Sequence, residues 1–324
     1  MKKEKLILPL LIIILFLSFL LSLVLGAEKI NIFKALVNDD FFQKAIIFNL
    51  RLPRSLLVLF TGILLGGSGA VFQLFFRNPL AEPGIMGISS GATLGAVIAG
   101  VLGLGSFRFI SSINLFAFLG ALLSGALVTF LAFSKGGKSS SIILLLCGAA
   151  LGTLYSSFSS MLLLTSSKEF HSIYTWILGS FNGRGWKEVL FIVIPFFISV
   201  ILIFICLPTL DLLTGGEKSA ESLGLNVSAL RIMVLVTGAL SVSCAVCAGG
   251  TIGFVGLISP HIIRKLSGPK AKTLIPQSMI FGAILLLLSD TFSRIVIAPS
   301  ELPAGIITSI LGVPFFLSLC LHKN

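Results

Sequence analysis

The chain alternates between long hydrophobic runs and shorter polar segments. Ten hydrophobic runs occupy positions 6–25, 55–76, 88–104, 115–133, 142–164, 189–207, 232–248, 253–266, 275–297 and 305–321. Most are close to the length of about 20 apolar residues that an α-helix needs to cross a bilayer. The pattern therefore predicts an all-α polytopic membrane protein with about ten transmembrane helices, in a single domain that covers residues 1–324.

The composition supports a membrane protein and excludes a soluble one. Hydrophobic residues make up 56% of the chain and charged residues only 11%, whereas a soluble domain carries roughly 25% charged residues. The net charge of +11 is then explained by basic loops that face the cytoplasm and anionic lipid, without a nucleic-acid partner. Lys and Arg are mildly more frequent on the side that holds both termini and the segment 208–231. This side is therefore predicted to be cytoplasmic.

The polar segment 208–231 interrupts the hydrophobic runs. Two adjacent glycines break the chain there, and a short apolar stripe follows. A further glycine stands where a helix C-terminal cap belongs, and an asparagine after it can begin a second helix. This order predicts short helices at about 215–230 that form a docking surface, although an ordinary solvated loop is the simpler alternative. The residues predicted to form the docking surface are Glu217, Ala220, Leu223, Gly224 and Asn226.

Ionisable residues at the ends of apolar runs are functional candidates in a membrane protein. Asp290 and Arg294 stand four residues apart in the ninth run, so they share a helix face and can pair. Arg51 and Arg54 precede the second run at the same, extracytoplasmic, side. A lone arginine in such a place usually contacts lipid phosphates. Three of them against the positive-inside trend predict a site for an acidic partner.

The fifth run carries several hydroxyl groups. Serine side chains in a helix often bond their own backbone, and this alone would explain them. Their density also suits the wall of a hydrated passage for a polar cargo. The candidate residues for such a translocation path are Ser156, Ser157, Ser159, Ser160 and Thr165.

Small residues recur at four-residue spacing in three runs: Gly62 and Gly66, Gly91 and Gly95, Gly148 and Gly152. Such pairs let helix backbones approach closely in lipid, so they predict tight helix packing. The strings GIMGIS at 84–89 and GFVGLIS at 253–259 also resemble each other. They suggest an internal repeat of the kind found in duplicated transporter halves.

The sequence contains few motifs that would indicate an enzyme. The three histidines are far apart, and Gly137-Lys138-Ser139 lacks the first glycine of a phosphate-binding loop. Cys244 and Cys247 have the spacing of a redox or metal pair, but neither a second pair nor a nearby His or carboxylate accompanies them. We interpret the five cysteines as apolar filler and predict neither a catalytic residue, a metal nor a cofactor.

Several strings resemble the permease family of iron-siderophore, haem and vitamin B12 importers. They are RLPR at 51–54, RNPLAEPGIMGISSGA at 77–92, GEKSAESLGLNV at 216–227, GGTIGFVGLISPHIIR at 249–264, SDTFSR at 289–294 and ELPAGIITSILGVPFF at 301–316. They occur in order along nearly the whole chain. Members of this family are the membrane subunits of type II ATP-binding-cassette importers.

The resemblance implies a type II importer permease fold and four kinds of partner. These are a second permease copy in a homodimer, two ATP-binding-cassette ATPase subunits that hydrolyse the ATP, an extracytoplasmic substrate-binding protein, and membrane lipid. The segment 208–231 would contact the ATPase, and the fifth run would line the passage. Arg51, Arg54 and Arg294 would contact the binding protein. The chain would lie in the bacterial cytoplasmic membrane with both termini in the cytoplasm.

The expected cargo is a metal chelate. A ferric siderophore is favoured, and haem and cobalamin are the alternatives. Interpretations from two other classes stay open at this point. Asp290 and the repeat would also suit an ion-coupled secondary transporter, and Cys244 and Cys247 would suit an intramembrane enzyme.

Overall fold

A computed structural model describes residues 2–26, 41–105, 110–133, 141–165, 170–213 and 216–321. All regular secondary structure in these ranges is helical. The helices are α1 Lys2–Val24, α2 Phe41–Phe75, α3 Ile88–Val101, α4 Ser112–Phe133, α5 Ser141–Thr165, α6 Phe170–Ile177, α7 Trp186–Leu212, α8 Glu217–Ser222, α9 Val227–Gly249, α10 Val255–Ser267, α11 Ala271–Ser293 and α12 Ala304–Leu321. Helix α2 contains a π-helical stretch, Ile46–Arg51, and a 3-10 turn, Pro83–Met86, precedes α3.

The number of helices agrees with the pattern of hydrophobic runs. Seven described helices are long and apolar enough to cross a membrane, namely α1, α2, α4, α5, α7, α9 and α11. The shorter helices α3, α10 and α12 occupy the three remaining runs. The predictions of an all-α membrane protein and of about ten transmembrane helices are confirmed. The two other helices, α6 and α8, lie between runs.

Two of the short helices, α3 and α10, begin after a segment that is not α-helical. We call these segments the two helix breaks; they are residues 76–87 and 250–254. Gly87 precedes α3 with φ +75°, and Phe254 precedes α10 with φ +68°. Both values are left-handed, which glycine adopts readily and a bulky residue rarely does. The two similar strings each run from a break into the following helix, but α3 starts after the fourth residue of its string and α10 after the second. The internal repeat therefore stays a prediction.

The glycine pairs lie where helices touch. Helix α2 packs most extensively against α11, and α3 packs against α4 and α5. A side chain added at a glycine of each pair would collide with the backbone of the neighbouring element. The hypothetical Cβ would lie 2.5 Å from Ala283 Cα at Gly62, 2.8 Å from Gly120 O at Gly91, and 2.6 Å from Met86 Cα at Gly148. The predicted tight helix packing is confirmed.

Candidate functional site

A buried ion pair joins α2 to the end of α11. Arg54 donates from Nη2 to Oδ1 of Asp290 at 2.8 Å and from Nε to Oδ2 at 3.1 Å. Its Nη1 donates to Oε2 of Glu301 at 2.7 Å. Arg54 is 8% exposed and Asp290 1% exposed. Because both charges are removed from water, each depends on the other for compensation.

Arg294 completes this cluster from the residue that follows α11. Its Nε lies 3.3 Å from Oδ2 of Asp290, one helical turn away, so the predicted pairing of these two residues is confirmed. The other two nitrogens donate to the carbonyl of Ser22 at 3.1 Å and to Oγ1 of Thr291 at 3.3 Å. The guanidinium therefore also ties α11 to the last turns of α1.

Arg51 caps the C-terminal end of α1. Its Nη1 donates to the carbonyls of Leu23 at 2.9 Å and Val24 at 2.6 Å. A helix leaves its last carbonyls without intrahelical partners, and a cation there also opposes the helix dipole. All three predicted docking arginines thus come together, but each is buried within the single chain. Their role in docking is not tested by this arrangement and stays a prediction.

A cavity of about 410 Å³ opens beside the three arginines, and Arg184 and Glu301 also line it. Arg184 comes from the loop between α6 and α7. Burial lowers the pKa of its guanidinium, and its Nε has no hydrogen-bond partner among the described residues. Sequence reasoning missed Arg184 as a site residue. The only signal was a single cation between two glycines in the string FNGRGW.

The segment 208–231 has the local geometry that its caps predict. Helix α8 ends at Ser222, and Gly224 is left-handed with φ +86°. Oδ1 of Asn226 accepts a hydrogen bond from the amide of Ala229 at 2.9 Å. The helix–glycine turn–helix order is confirmed, although the second helix is the beginning of α9 and continues without interruption.

Within this segment the candidate contacts differ in exposure. Ala220 is fully buried, and Leu223 is 70% exposed. Gly224 and Asn226 are also exposed. The side chain of Glu217 lies outside the described residues. Leu223, Gly224 and Asn226 are therefore the exposed candidates in this turn, and the docking role of the segment stays a prediction.

The hydroxyls of α5 fall into two groups. Ser157 and Ser159 donate to the carbonyls four residues earlier, at 2.9 and 2.8 Å, as serines in helices often do. Ser156, Ser157 and Ser160 are exposed in the single chain, whereas Ser159 is buried. The side chain of Thr165 lies outside the described residues. The assignment of these five residues to a translocation path stays a prediction.

A second cavity, of about 580 Å³, lies where the two helix breaks meet. Gly84 and Ser89 line it from the first break, and Thr251 and Gly253 line it from the second. The remaining walls come from the end of α6 and the first turns of α12. Sequence reasoning did not find this cavity, because the residues that line it are spread over more than 200 positions of the sequence.

The cysteine pair serves packing. Cys244 and Cys247 are fully buried in α9, and Sγ of Cys244 lies 3.9 Å from Oγ of Ser199. The described residues contain no group of three or more His, Cys, Asp or Glu side chains that could hold a metal ion.

Comparison with known proteins gives one consistent result. Residues 12–322 match the FecCD transport family. The chain is 35% identical over 321 residues to the Fe(3+)-citrate import system permease protein YfmE of Bacillus subtilis (strain 168), covering 98% of this chain and 95% of the relative. It is 36% identical over 324 residues to the iron(3+)-hydroxamate import system permease protein FhuG of the same organism, covering 94% of both. Other relatives are named for hemin and vitamin B12.

A solved structure agrees with these relatives. The inward-facing conformation of a metal-chelate type ABC transporter superposes with a TM-score of 0.85 at 34% sequence identity, covering 98% of this chain and 99% of that chain. The match therefore extends over the ten spans and the short helices between them. The chain belongs to the FecCD transport family and has the permease fold of the type II ATP-binding-cassette importers.

Proposed function

We propose that this chain is the membrane-spanning permease subunit of an ATP-driven importer of metal chelates, with a ferric siderophore as its cargo. The observation that carries the proposal is the likeness, over 98% of the chain, to a metal-chelate type transporter. The relatives named for ferric citrate and ferric hydroxamate favour an iron chelate. Haem and cobalamin are the alternatives, since relatives carry those names as well.

The partners follow from the architecture of such importers. Two copies of the chain form a homodimer around a central passage, two ATPase subunits hydrolyse ATP on the cytoplasmic side, and a substrate-binding protein delivers the chelate on the other side. The complex lies in a bacterial cytoplasmic membrane, with both termini of this chain in the cytoplasm. The chain itself is not an enzyme, and its helices convert ATPase movement into opening and closing of the passage.

The exposed turn after α8 is the proposed contact with the ATPase. Glu217, Ala220, Leu223, Gly224 and Asn226 belong to it. Burial of Ala220 fixes α8 against the body of the protein, and the exposed Leu223 offers an apolar side chain to the partner. The Asn226 cap continues into α9 without a break. A push on this turn is therefore transmitted directly along α9 into the membrane.

The arginine-lined cavity is the proposed contact with the binding protein. Arg51, Arg54 and Arg294 line it, together with Arg184. Asp290 and Glu301 compensate part of this positive charge, and the excess is available to an acidic partner. We assign the path of the cargo to α5, with Ser156, Ser157, Ser159, Ser160 and Thr165.

An ion-coupled secondary transporter is less well supported. The sequence suggested Asp290 as the carboxyl that would bind and release the coupled cation. Both oxygens of Asp290 instead contact buried arginines. A carboxylate held in this way forms structural ion pairs and is not free to bind a coupled cation.

Purification of the intact complex tests the proposal. An affinity tag on this chain is expected to recover two permease copies with two ATPase subunits, and loading with the binding protein is expected to leave an iron chelate in the sample. Native mass determination gives the stoichiometry, and elemental analysis gives the metal. An active particle with one copy of this chain and no ATPase would contradict the proposal.

A further inference from the structure

The cavity between the two helix breaks contains one ionisable residue among its described lining residues, Glu82. Glu82 lies in the extended chain that runs from α2 back to the 3-10 turn, with φ −141° and ψ 138°. Its surroundings are otherwise apolar side chains, glycines and hydroxyls. The carboxylate makes no hydrogen bond or ion pair with any residue that the structure describes, unlike Asp290 and Glu301. It is therefore available to a molecule in the cavity.

The carboxylate also lies close to the start of α10. A Cβ added at Gly256, the second residue of that helix, would be 3.2 Å from Oε1 of Glu82. The first amides of a helix carry partial positive charge, which attracts a nearby carboxylate, whereas burial disfavours its charged form. Glycine at 256 leaves room for it. Burial without a partner raises the pKa of the Glu82 carboxyl to about 7, so the group carries its negative charge mainly above neutral pH. The described lining residues of the cavity include no cation to offset that charge.

A structural role alone does not explain this position. An acidic side chain that only stabilised a helix N-terminus could do so at the protein surface. There it would avoid the large desolvation cost of a buried charge. In secondary transporters, discontinuous helices that meet inside the membrane form the substrate site, and the two helix breaks offer a comparable place here. Glu82 occupies such a meeting point, and the cavity walls belong to both halves of the chain.

We infer that Glu82 sets the charge selectivity of this cavity. Its carboxylate accepts hydrogen bonds from donor groups of an uncharged or cationic chelate and repels an anionic one. Loss of the charge uncovers the positive end of α10 and so favours anions. The inference rests on the proposed function for the identity of the cargo, but the charge of the cavity can be measured without any cargo.

Thiol reagents of opposite charge measure that charge directly. Ser309 lines the same cavity from α12, and Ser309→Cys places a reactive thiol there. The probes are a cationic and an anionic methanethiosulfonate, applied to the permease in nanodiscs at a pH well above the pKa of Glu82, so that its carboxyl is ionised. Reaction rates of the unmodified chain are subtracted. The cationic reagent is expected to be favoured, and Glu82→Gln to lower the cation-to-anion rate ratio by about fivefold, as expected for one charge at this range in a partly hydrated site.

Two further variants serve as controls for misfolding and for the loss of a carboxylate outside the cavity. Glu82→Asp keeps the charge and is expected to retain most of the ratio, even if Glu82→Gln perturbs folding. Glu188→Gln removes a carboxylate that caps α7 at the Gly185 amide, outside this cavity, and is expected to leave the ratio unchanged. An unchanged ratio in Glu82→Gln, or an equal fall in Glu188→Gln, would overturn the inference.

Uptake by the whole complex extends the test to cargo. The probes are a neutral ferric trihydroxamate and anionic ferric citrate, delivered through the same binding protein, so that its own preference cancels between variants. Glu82→Gln is expected to shift the uptake ratio about fivefold toward ferric citrate. A fall of both rates at a constant ratio would reduce Glu82 to a structural residue. Absence of ATP-driven uptake in the unmodified complex would count against the proposed function, whereas the thiol rates would still decide the role of Glu82.

Discussion

Arg54 and Asp290 are 236 residues apart in the sequence, yet they form a two-point contact at 2.8 and 3.1 Å. This contact ties α2 to α11, the two helices that pack most extensively against each other. Arg294 binds the same carboxylate. Asp290 therefore compensates two buried guanidiniums at once, and its loss would leave both without their main counter-charge.

Asp290→Asn is expected to lower the free energy of unfolding by about 3 kcal/mol, since removal of one partner leaves a buried charge uncompensated. The measurement is equilibrium unfolding in mixed detergent micelles. Glu301→Gln is the control, because the side chain of Glu301 is 23% exposed and forms an ion pair with Arg54. It is expected to cost less than about 1 kcal/mol. Similar losses in the two variants would contradict this account of the cluster.

Helix packing at Gly62 gives a second prediction. A methyl group there would lie 2.5 Å from Cα of Ala283 and 2.6 Å from the carbonyl of Gly282. Backbone atoms of α11 cannot move aside singly, so Gly62→Ala is expected to destabilise the protein by about 2 kcal/mol despite the better helix propensity of alanine. Gly105→Ala, with nothing within 4 Å of its Cβ, is the control for an added methyl group that meets no neighbour; it lies outside the helices. Equal stability of both variants would show that the helices are not held this closely.

Gly224 tests the coupling role of the turn after α8. Its φ of +86° disfavours β-branched residues, and nothing lies within 4 Å of an added Cβ. Gly224→Val is therefore expected to strain the turn by about 1 kcal/mol, whereas Gly224→Asn fits a left-handed position far better. Transport per ATP hydrolysed is expected to fall about fivefold in the valine variant, the factor that about 1 kcal/mol represents. If valine and asparagine give the same ratio, the shape of this turn does not govern coupling.

Arg51 tests docking of the binding protein. It lines the arginine cavity, and its partners are backbone carbonyls and other groups on its own chain. Arg51→Gln is expected to slow association of the loaded binding protein severalfold at low salt and to have little effect at high salt, where such attraction is screened. Lys187→Gln removes an exposed cation that does not line the cavity. A loss of the same size in both variants would remove the specific role of Arg51.

The sequence predicted what is local. The number of runs, the cap at Asn226, the left-handed Gly224 and the pairing of Asp290 with Arg294 all depend on residues within one or two helical turns. The Arg54–Asp290 contact and the burial of the three arginines depend on how α1, α2 and α11 pack. Spacing along one chain carries no direct signal of such contacts.

Glu82 illustrates the same limit. In the sequence it is one acidic residue in a short polar break, where a solvated side chain is the ordinary expectation. The structure turns this break inward, beside a second break that ends with the left-handed Phe254. Glu82 lies inside the protein because two segments about 170 residues apart in the sequence pack together. Its position there is what makes the carboxylate important.

The central claim is that this chain works only as part of an ATP-driven importer. Uptake of a radiolabelled ferric hydroxamate into vesicles that contain the permease, its ATPase and its binding protein tests that claim most directly. Uptake is expected to require ATP and the binding protein, and to continue after the proton and sodium gradients are dissipated. Uptake that persists without ATP and stops when either gradient collapses would contradict the account.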